Sequence, residues 1–579
     1  MIKLMRFLKP YRMTLVLVLV LAFAQSFANL YLPTLTADIV DNGVVKGDIG
    51  YIWRTGGLML LVTIGGTICA IVGAFFGARV ATGLGKIIRG KIFNRVEQFS
   101  LHEFDMMSTA SLITRTTNDT TQVQQVWVII LLMMVTAPMM IIGGIILAVA
   151  QDATLAWILV VVMPILVGAI ALIMSRAIPL FRVMQQKLDK LNLILDEGLS
   201  GVRVIRAFNR VKHEEERFDV ANQDLTDVAI RVNRIVAALM PIMMLVLNVS
   251  SIAILWFGSI RVNNGEMQVG AIFAFLQYAM QILFGLLMVS MMFIMLPRAA
   301  ASADRINEVL AIAPEINDAP TVNDADTQRG FVEFQDVTFS YPGAEEPALS
   351  NISFSASPGE VTAIIGGTGA GKSTLVSLIP RFYDIDSGHI LVDGIDVREM
   401  SQEHLRAKIG FVPQKAVLFS GTISENIRYG KEDASEDEVQ RAADVAQATE
   451  FISDMQDGFA SVIAQGGMNV SGGQKQRLSI ARALARKPEI YVFDDSFSAL
   501  DFKTDARLRA ALKKETLDAT VLIVAQRVST VMDADQIIVL DEGHVAGIGN
   551  HRTLMRTSEV YREIVTSQLS MEEIAEEIA

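Results

Sequence analysis

The chain has 579 residues; 51% are hydrophobic and 19% charged, with a mean hydropathy of +0.41. Neither a membrane protein nor a soluble one averages to these values at this length, so a membrane part joined to a soluble part is expected. Lys+Arg 50 against Asp+Glu 62 leaves a formal charge of −12 with no long basic run, which argues against a nucleic-acid partner.

Lys3, Arg6, Lys9 and Arg12 precede an apolar run from about residue 13 to 32, long enough to cross a bilayer core that needs about 20 residues. Ala22-Phe23-Ala24 is a faint signal-peptidase pattern, but the apolar run continues past it, so an uncleaved first span is expected. Further spans read at about 57–78, 126–150, 155–178, 235–260 and 269–296, and backbone pairing in lipid makes all of them helices. Cys69, the single cysteine, falls in the second, which argues against a disulfide framework or a thiolate metal site.

The segments joining spans two to three and four to five are long and basic, carrying Arg79, Lys86, Arg89, Lys91, Arg95, then Arg176, Arg182, Lys187, Lys190, Arg203, Arg206 and Arg210. The positive-inside rule therefore places them, the N-terminus and everything after the sixth span in the cytoplasm, which makes this a multi-pass protein of the plasma (inner) membrane. Apolar positions such as Ile87, Ile92, Phe93 and Val96 predict helices that run on out of the bilayer. The spans are rich in methionine, among them Met133, Met134, Met240, Met243, Met244, Met280 and Met291, side chains that suit either ordinary helix packing or a surface that adapts to varied apolar ligands. Gln277 and Gln281, one turn apart in the sixth span, fit equally a partner helix or a cavity wall.

Residues 313–330, rich in Pro, Asp, Asn and Thr, read as a linker between a membrane domain over 1–312 and a soluble α/β domain over 331–579. The acidic tail at 571–579 reads as a solvated helix end. Within the soluble domain, Gly366-Gly367-Thr368-Gly369-Ala370-Gly371-Lys372-Ser373-Thr374 fits G-x-x-x-x-G-K-[ST] between an apolar strand and a helix. Glycines let backbone N–H groups close on phosphate oxygens, Lys372 reaches the β- and γ-phosphates, and the Ser373 hydroxyl ligates Mg²⁺. The buried run Ile490–Asp494 ends in a carboxylate placed to share that ion. Ser471-Gly472-Gly473-Gln474 opens an amphipathic helix and makes a second anion-binding nest.

With these motifs and six spans the chain resembles the ATP-binding cassette (ABC) exporters over essentially its whole length. The expected fold is an all-α six-helix membrane domain with long cytoplasmic extensions, fused to an α/β P-loop nucleotide-binding domain. The resemblance implies ATP and Mg²⁺ as ligands, with Tyr341 stacking on adenine. It also implies that Gln414 links the γ-phosphate to the membrane domain and shares Mg²⁺ with Ser373 and Asp494, in part through water. Ser498-Ala499-Leu500-Asp501 would communicate between two cassettes, and Ser471–Gln474 would complete the ATP site of a partner cassette. Residues 108–119 and 202–210 would lie at or near the coupling helices.

Two positions depart from the family pattern. Asp495 stands where the family has the glutamate that activates the attacking water, and Gln526 where it has a histidine at the γ-phosphate. A softer departure is Gln465, near a position usually held by glutamate. A general base must come within about 2.6–3.2 Å of its proton, so a side chain one methylene short weakens this centre. The signature is intact, so the expectation is an asymmetric pair resembling the degenerate half of heterodimeric bacterial multidrug exporters. Its partner would be a non-identical half-transporter with glutamate and histidine at the positions of Asp495 and Gln526, and its cargo amphiphilic or drug-like. A homodimeric lipid or drug flippase and an ATP-gated channel or regulatory membrane protein are the alternatives.

Overall fold

The computed structural model describes residues 1–318 and 329–569; most of the expected linker and the whole acidic tail lie outside them. The chain forms two compact bodies, one of Met1–Glu97 with Thr109–Ile312, the other of Gln98–Ser108 with Ala313–Ala579.

The first body contains six helices long and apolar enough to cross a membrane: Lys3–Val44, Ile49–Val96, Thr109–Gln151, Trp157–Ser200, Val211–Asn263 and Val269–Ala311. At most 31% of the residues in any apolar window are fully buried within the body, so these helices keep apolar side chains at its surface, as chain length and composition suited to a bilayer would give. At 1.5 Å per residue the second helix, 48 residues long, reaches roughly 70 Å, well beyond a hydrocarbon core of about 30 Å. Polar groups tie the first helix to the sixth. The Tyr278 hydroxyl lies 2.8 Å from that of Thr34, and Gln281 Nε2 donates to the Asn29 carbonyl at 2.9 Å, so Gln281 serves helix pairing. Beyond the apolar stretches, Arg305 Nε holds the buried Asp119 at 2.8 Å and Arg115 pairs with Glu308 at 3.0 Å, joining the third helix to the sixth. Met134, Met240, Met244, Met280 and Met291 are exposed on this body, whereas Met243 is buried.

Besides the chain after Ile312, the second body takes in residues 98–108. Here Ser100 and Glu103 form a capping box that starts the helix Leu101–Met107. One Glu103 oxygen accepts from the Ser100 N–H at 2.5 Å and the other from the Glu315 N–H at 2.7 Å. Burial alone would raise the Glu103 pKa; the Ser100 hydroxyl and the Glu315 and Ser100 N–H groups outweigh it and hold the carboxyl below its ordinary value. Of the segment 108–119 expected at or near a coupling helix, Thr109–Asp119 continue the third membrane helix, next in sequence to 98–108. The other expected segment forms the short helix Val202–Ala207 in the membrane body, with Val204 60% and Phe208 74% exposed.

The second body is built on two main sheets. β1 (Val332–Phe339), β2 (Leu349–Ala356), β4 (Ser387–Val392) and β5 (Ile395–Asp396) form an antiparallel sheet in the order β2-β1-β4-β5. The larger sheet takes β3 (Val361–Gly366), β6 (Ile409–Val412), β9 (Ile490–Asp494), β10 (Thr520–Val524), β11 (Gln536–Asp541) and β12 (His544–Gly549) in the order β12-β11-β3-β10-β9-β6. β7 (Gly421–Thr422) and β8 (Val462–Ile463) make a small third pair. All of the large sheet's pairings except β11–β12 are parallel. A parallel sheet covered on both faces needs unbroken apolar strands, and β9 and β10 are buried at every position.

Candidate nucleotide site

Strand order alone assembles the site. β10 lies between β3 and β9, with Val524 level with both Ile364 and Asp494, and β6 lies beyond β9 with Val412 level with Phe493. The phosphate loop after β3, Gln526 after β10, Asp494 and Asp495 at the end of β9, and Gln414 after β6 therefore emerge side by side at the C-terminal edge. That is where open α/β sheets place their ligands.

The loop leaving β3 needs its glycines. A Cβ on Gly366 would sit 2.2 Å from the Leu540 carbonyl oxygen. Gly371 has φ +92°, and a Cβ there would meet Leu349 Cδ2 at 2.7 Å and the Ala348 oxygen at 2.9 Å. Gly371 opens the helix Lys372–Leu378, whose N-terminal N–H groups and dipole favour an anion. Lys372 Nζ donates to the carbonyls of Gly366 and Gly367 at 2.9 and 2.6 Å, which folds the ammonium over the loop. Burial pulls the Lys372 pKa down, opposed by the nearby carboxylates of Asp495 and Asp494. Ser373 Oγ donates to Asp494 Oδ1 at 2.8 Å. Burial pushes the Asp494 pKa up, with the Ser373 hydrogen bond pulling the other way. A hydroxyl and a carboxylate converging in this way are hard oxygen donors that fit Mg²⁺. Thr374 Oγ1 lies 2.9 Å from the Tyr341 hydroxyl, and the Tyr341 ring, packed edge-on against Phe339 and Tyr383, is 39% exposed beside the loop.

The two departures, Asp495 and Gln526, meet. Gln526 Nε2 donates to Asp495 Oδ2 at 2.7 Å, and Gln414 Nε2 donates to the same oxygen at 3.1 Å. A carboxylate oxygen offers two lone pairs, and both on Oδ2 are taken by neutral amides. A water proton has only Oδ1 left to approach. Asp495 also has φ +46°, a left-handed conformation that aspartate tolerates, and its N–H is held by the Val524 carbonyl at 3.0 Å. The sequence identified Gln414, Asp495 and Gln526 one by one; their meeting at one oxygen was not foreseen.

The signature lies apart from this cluster. Ser471 and Gln474 form a reciprocal capping box at the start of the helix Gly472–Arg486, with the Ser471 N–H donating to Gln474 Oε1 at 2.8 Å. Ser471 and Gly472 are exposed, and among the described residues no hydrogen bond joins 471–474 to the phosphate loop. Gly473 instead packs on the loop Ser498–Asp501, where a Cβ would come within 3.1 Å of the Ala499 oxygen. Ser498 Oγ donates to the Asp495 carbonyl at 2.9 Å, and Asp501 caps the next helix, so Ser498–Asp501 bridges the Asp495 cluster and the signature. Leu500 is buried beneath that loop.

The family profile of the ABC transporter transmembrane region matches residues 15–287, and that of the ABC transporter matches residues 349–498. An uncharacterized ABC transporter ATP-binding protein of Mycobacterium tuberculosis is 45% identical, covering 97% of both chains. An ATP-binding/permease protein of Bacillus subtilis, provisionally named for multidrug export, is 32% identical over 97% of this chain and 98% of its own length. Among solved structures, a bacterial Atm1-family ABC exporter with ATP bound superposes with a TM-score of 0.80 at 25% identity, covering 96% of this chain and 98% of that one.

Proposed function

The chain belongs to the ABC transporters, as an ATP-driven exporter with membrane and ATP-binding regions in one polypeptide, and from that premise we propose that it is the hydrolytically weak half of a heterodimer. The observation that carries this reading is the Asp495 carboxyl, with one oxygen occupied by Gln526 and Gln414. A general base has to accept a proton from water, and amides donate without taking one away. Bound Mg²⁺ supplies charge neutralisation at the phosphates.

The roles of the remaining residues follow. Lys372 and the loop N–H groups bind phosphate, Ser373, Asp494 and Gln414 hold Mg²⁺, and Tyr341 presents its ring to the base. The exposed Ser471–Gln474 tip serves the phosphate loop of a second subunit that carries glutamate and histidine at the two departed positions. Val204 and Phe208, exposed at the tip of a cytoplasmic helix, offer that subunit an apolar foothold. The multidrug naming of the Bacillus subtilis relative and the exposed methionines support an amphiphilic cargo carried outward across the inner membrane. Mild-detergent purification of the tagged chain from its host, followed by mass spectrometry, tests the pairing. An equimolar second half-transporter with glutamate and histidine supports it, and a lone homodimer overturns it.

A further inference from the structure

The second body contains a cavity of about 400 Å³ on the face of the large sheet behind the nucleotide loops. Its floor is β3 and β10, the strands that deliver the phosphate loop and Gln526, with Val521 and Ile523 contributing apolar surface. One wall is the helix Phe502–Glu515, which Asp501 of the inter-cassette loop caps; the opposite wall is the helix Val528–Val531, which follows Gln526. The same elements that position the nucleotide site thus enclose this space.

The chemistry of the lining is specific. Arg509 enters from the long helix, and among the described residues its buried Nε faces Asp505 Oδ2, at a distance too long for a strong hydrogen bond. Its ion pairs are long, 3.4 Å to Asp505 and 3.8 Å to Asp533, and Asp533 is 90% exposed, where solvent screens it. Burial pushes the Asp505 pKa up, against the charge and hydrogen bond of Arg509 and the charge of Arg527. One turn on, Lys513 lines the same cavity and has no ion-pair partner among the described residues. A planar guanidinium with donors to spare, beside an ammonium and above an apolar floor, matches a carboxylate on a compact apolar body. The volume falls within the range of about 300–1,000 Å³ typical of small-molecule sites.

The geometry points to an effector site: the cavity between Phe502–Glu515 and Val528–Val531 binds a small apolar molecule with one carboxylate, such as an aromatic acid, and is coupled to the ATP site. Coupling follows because filling the cavity fixes the helices behind Ser498–Asp501 and Gln526, and linkage makes the effect reciprocal. The inference rests on cassette geometry and family membership, independent of whether the partner subunit is identical.

The test is a ¹⁹F NMR titration of the full-length protein in nanodiscs with 4-(trifluoromethyl)benzoate, using 4-(trifluoromethyl)benzyl alcohol as the uncharged control. The acid is expected to saturate and the alcohol to bind at least tenfold more weakly. Arg509→Gln should weaken the acid alone at least tenfold. Ala510→Phe, on the exposed cavity wall, should block both probes, and ATP binding reports that each variant is folded. The acid should shift the apparent Kd for ATP at least threefold in the parent chain and leave it unmoved in Ala510→Phe. Equal affinity for acid and alcohol, acid binding that neither variant alters, or an ATP affinity indifferent to the acid would overturn the proposal.

Discussion

Replacing Asp495 with glutamate lengthens the side chain by one methylene, roughly 1.5 Å of reach. At present Oδ2 is pinned at 2.7 Å by Gln526 and 3.1 Å by Gln414, on a backbone held at φ +46°. A misplacement of about 1 Å at a reacting centre costs on the order of a hundredfold in rate, or about 2.7 kcal/mol of barrier. The subunit's own site should therefore gain between about tenfold and a hundredfold in Asp495→Glu/Gln526→His. In the intact complex that gain is hidden, because the partner's site dominates and total ATPase changes by less than about twofold. The two sites separate on a Ser471→Ala background, which disables the partner's site and leaves this chain's phosphate loop untouched. Coupled-enzyme ATPase assays on the purified complex then read the small residual rate. The reasoning is refuted if the double substitution leaves that residual within about twofold, or if Ser471→Ala spares most of the starting activity.

Three further outcomes are expected. Gly371→Ala forces a Cβ to 2.7 Å from Leu349 and keeps φ near +92°, a strain of about 1–3 kcal/mol that should cost at least about tenfold in ATP affinity by isothermal titration. Burial raises the Asp494 pKa: Mg²⁺-dependent ATP binding should fail on acidification at a higher pH than for an ordinary carboxylate near 3.9. The sign for stability is opposite, because the folded state holds this proton more tightly; Asp494 adds stability as pH falls through its folded pKa, and thermal melts of Asp494→Asn should lose that increment. Glu103→Ala removes the acceptor for the Ser100 and Glu315 N–H groups, so the full-length chain should lose about 2 kcal/mol in a chemical melt while ATP affinity is unchanged.

Local patterns were the legible part of this chain. Gly366–Thr374 announced a phosphate site because glycines, lysine and serine act within a few residues of one another, and Ile490–Asp494 announced a buried strand by its unbroken apolar run. The six spans were legible in their apolar centres, and the run of Ile49–Val96 past the second span was legible in the spaced apolar positions Ile87, Ile92, Phe93 and Val96. The grip of Gln414 and Gln526 on Asp495 was invisible, because it joins positions 81 and 31 residues apart through the order β6-β9-β10. Residues 98–108 were missed for a similar reason. Glu103 finds its second partner at Glu315, on chain that follows the sixth span.

The division of labour between two unlike subunits faces its plainest trial with the single polypeptide reconstituted alone in liposomes, with ATPase rate and dye export followed together. The account predicts slow turnover and no net export until the partner is added. Brisk hydrolysis with export by this chain alone would contradict it.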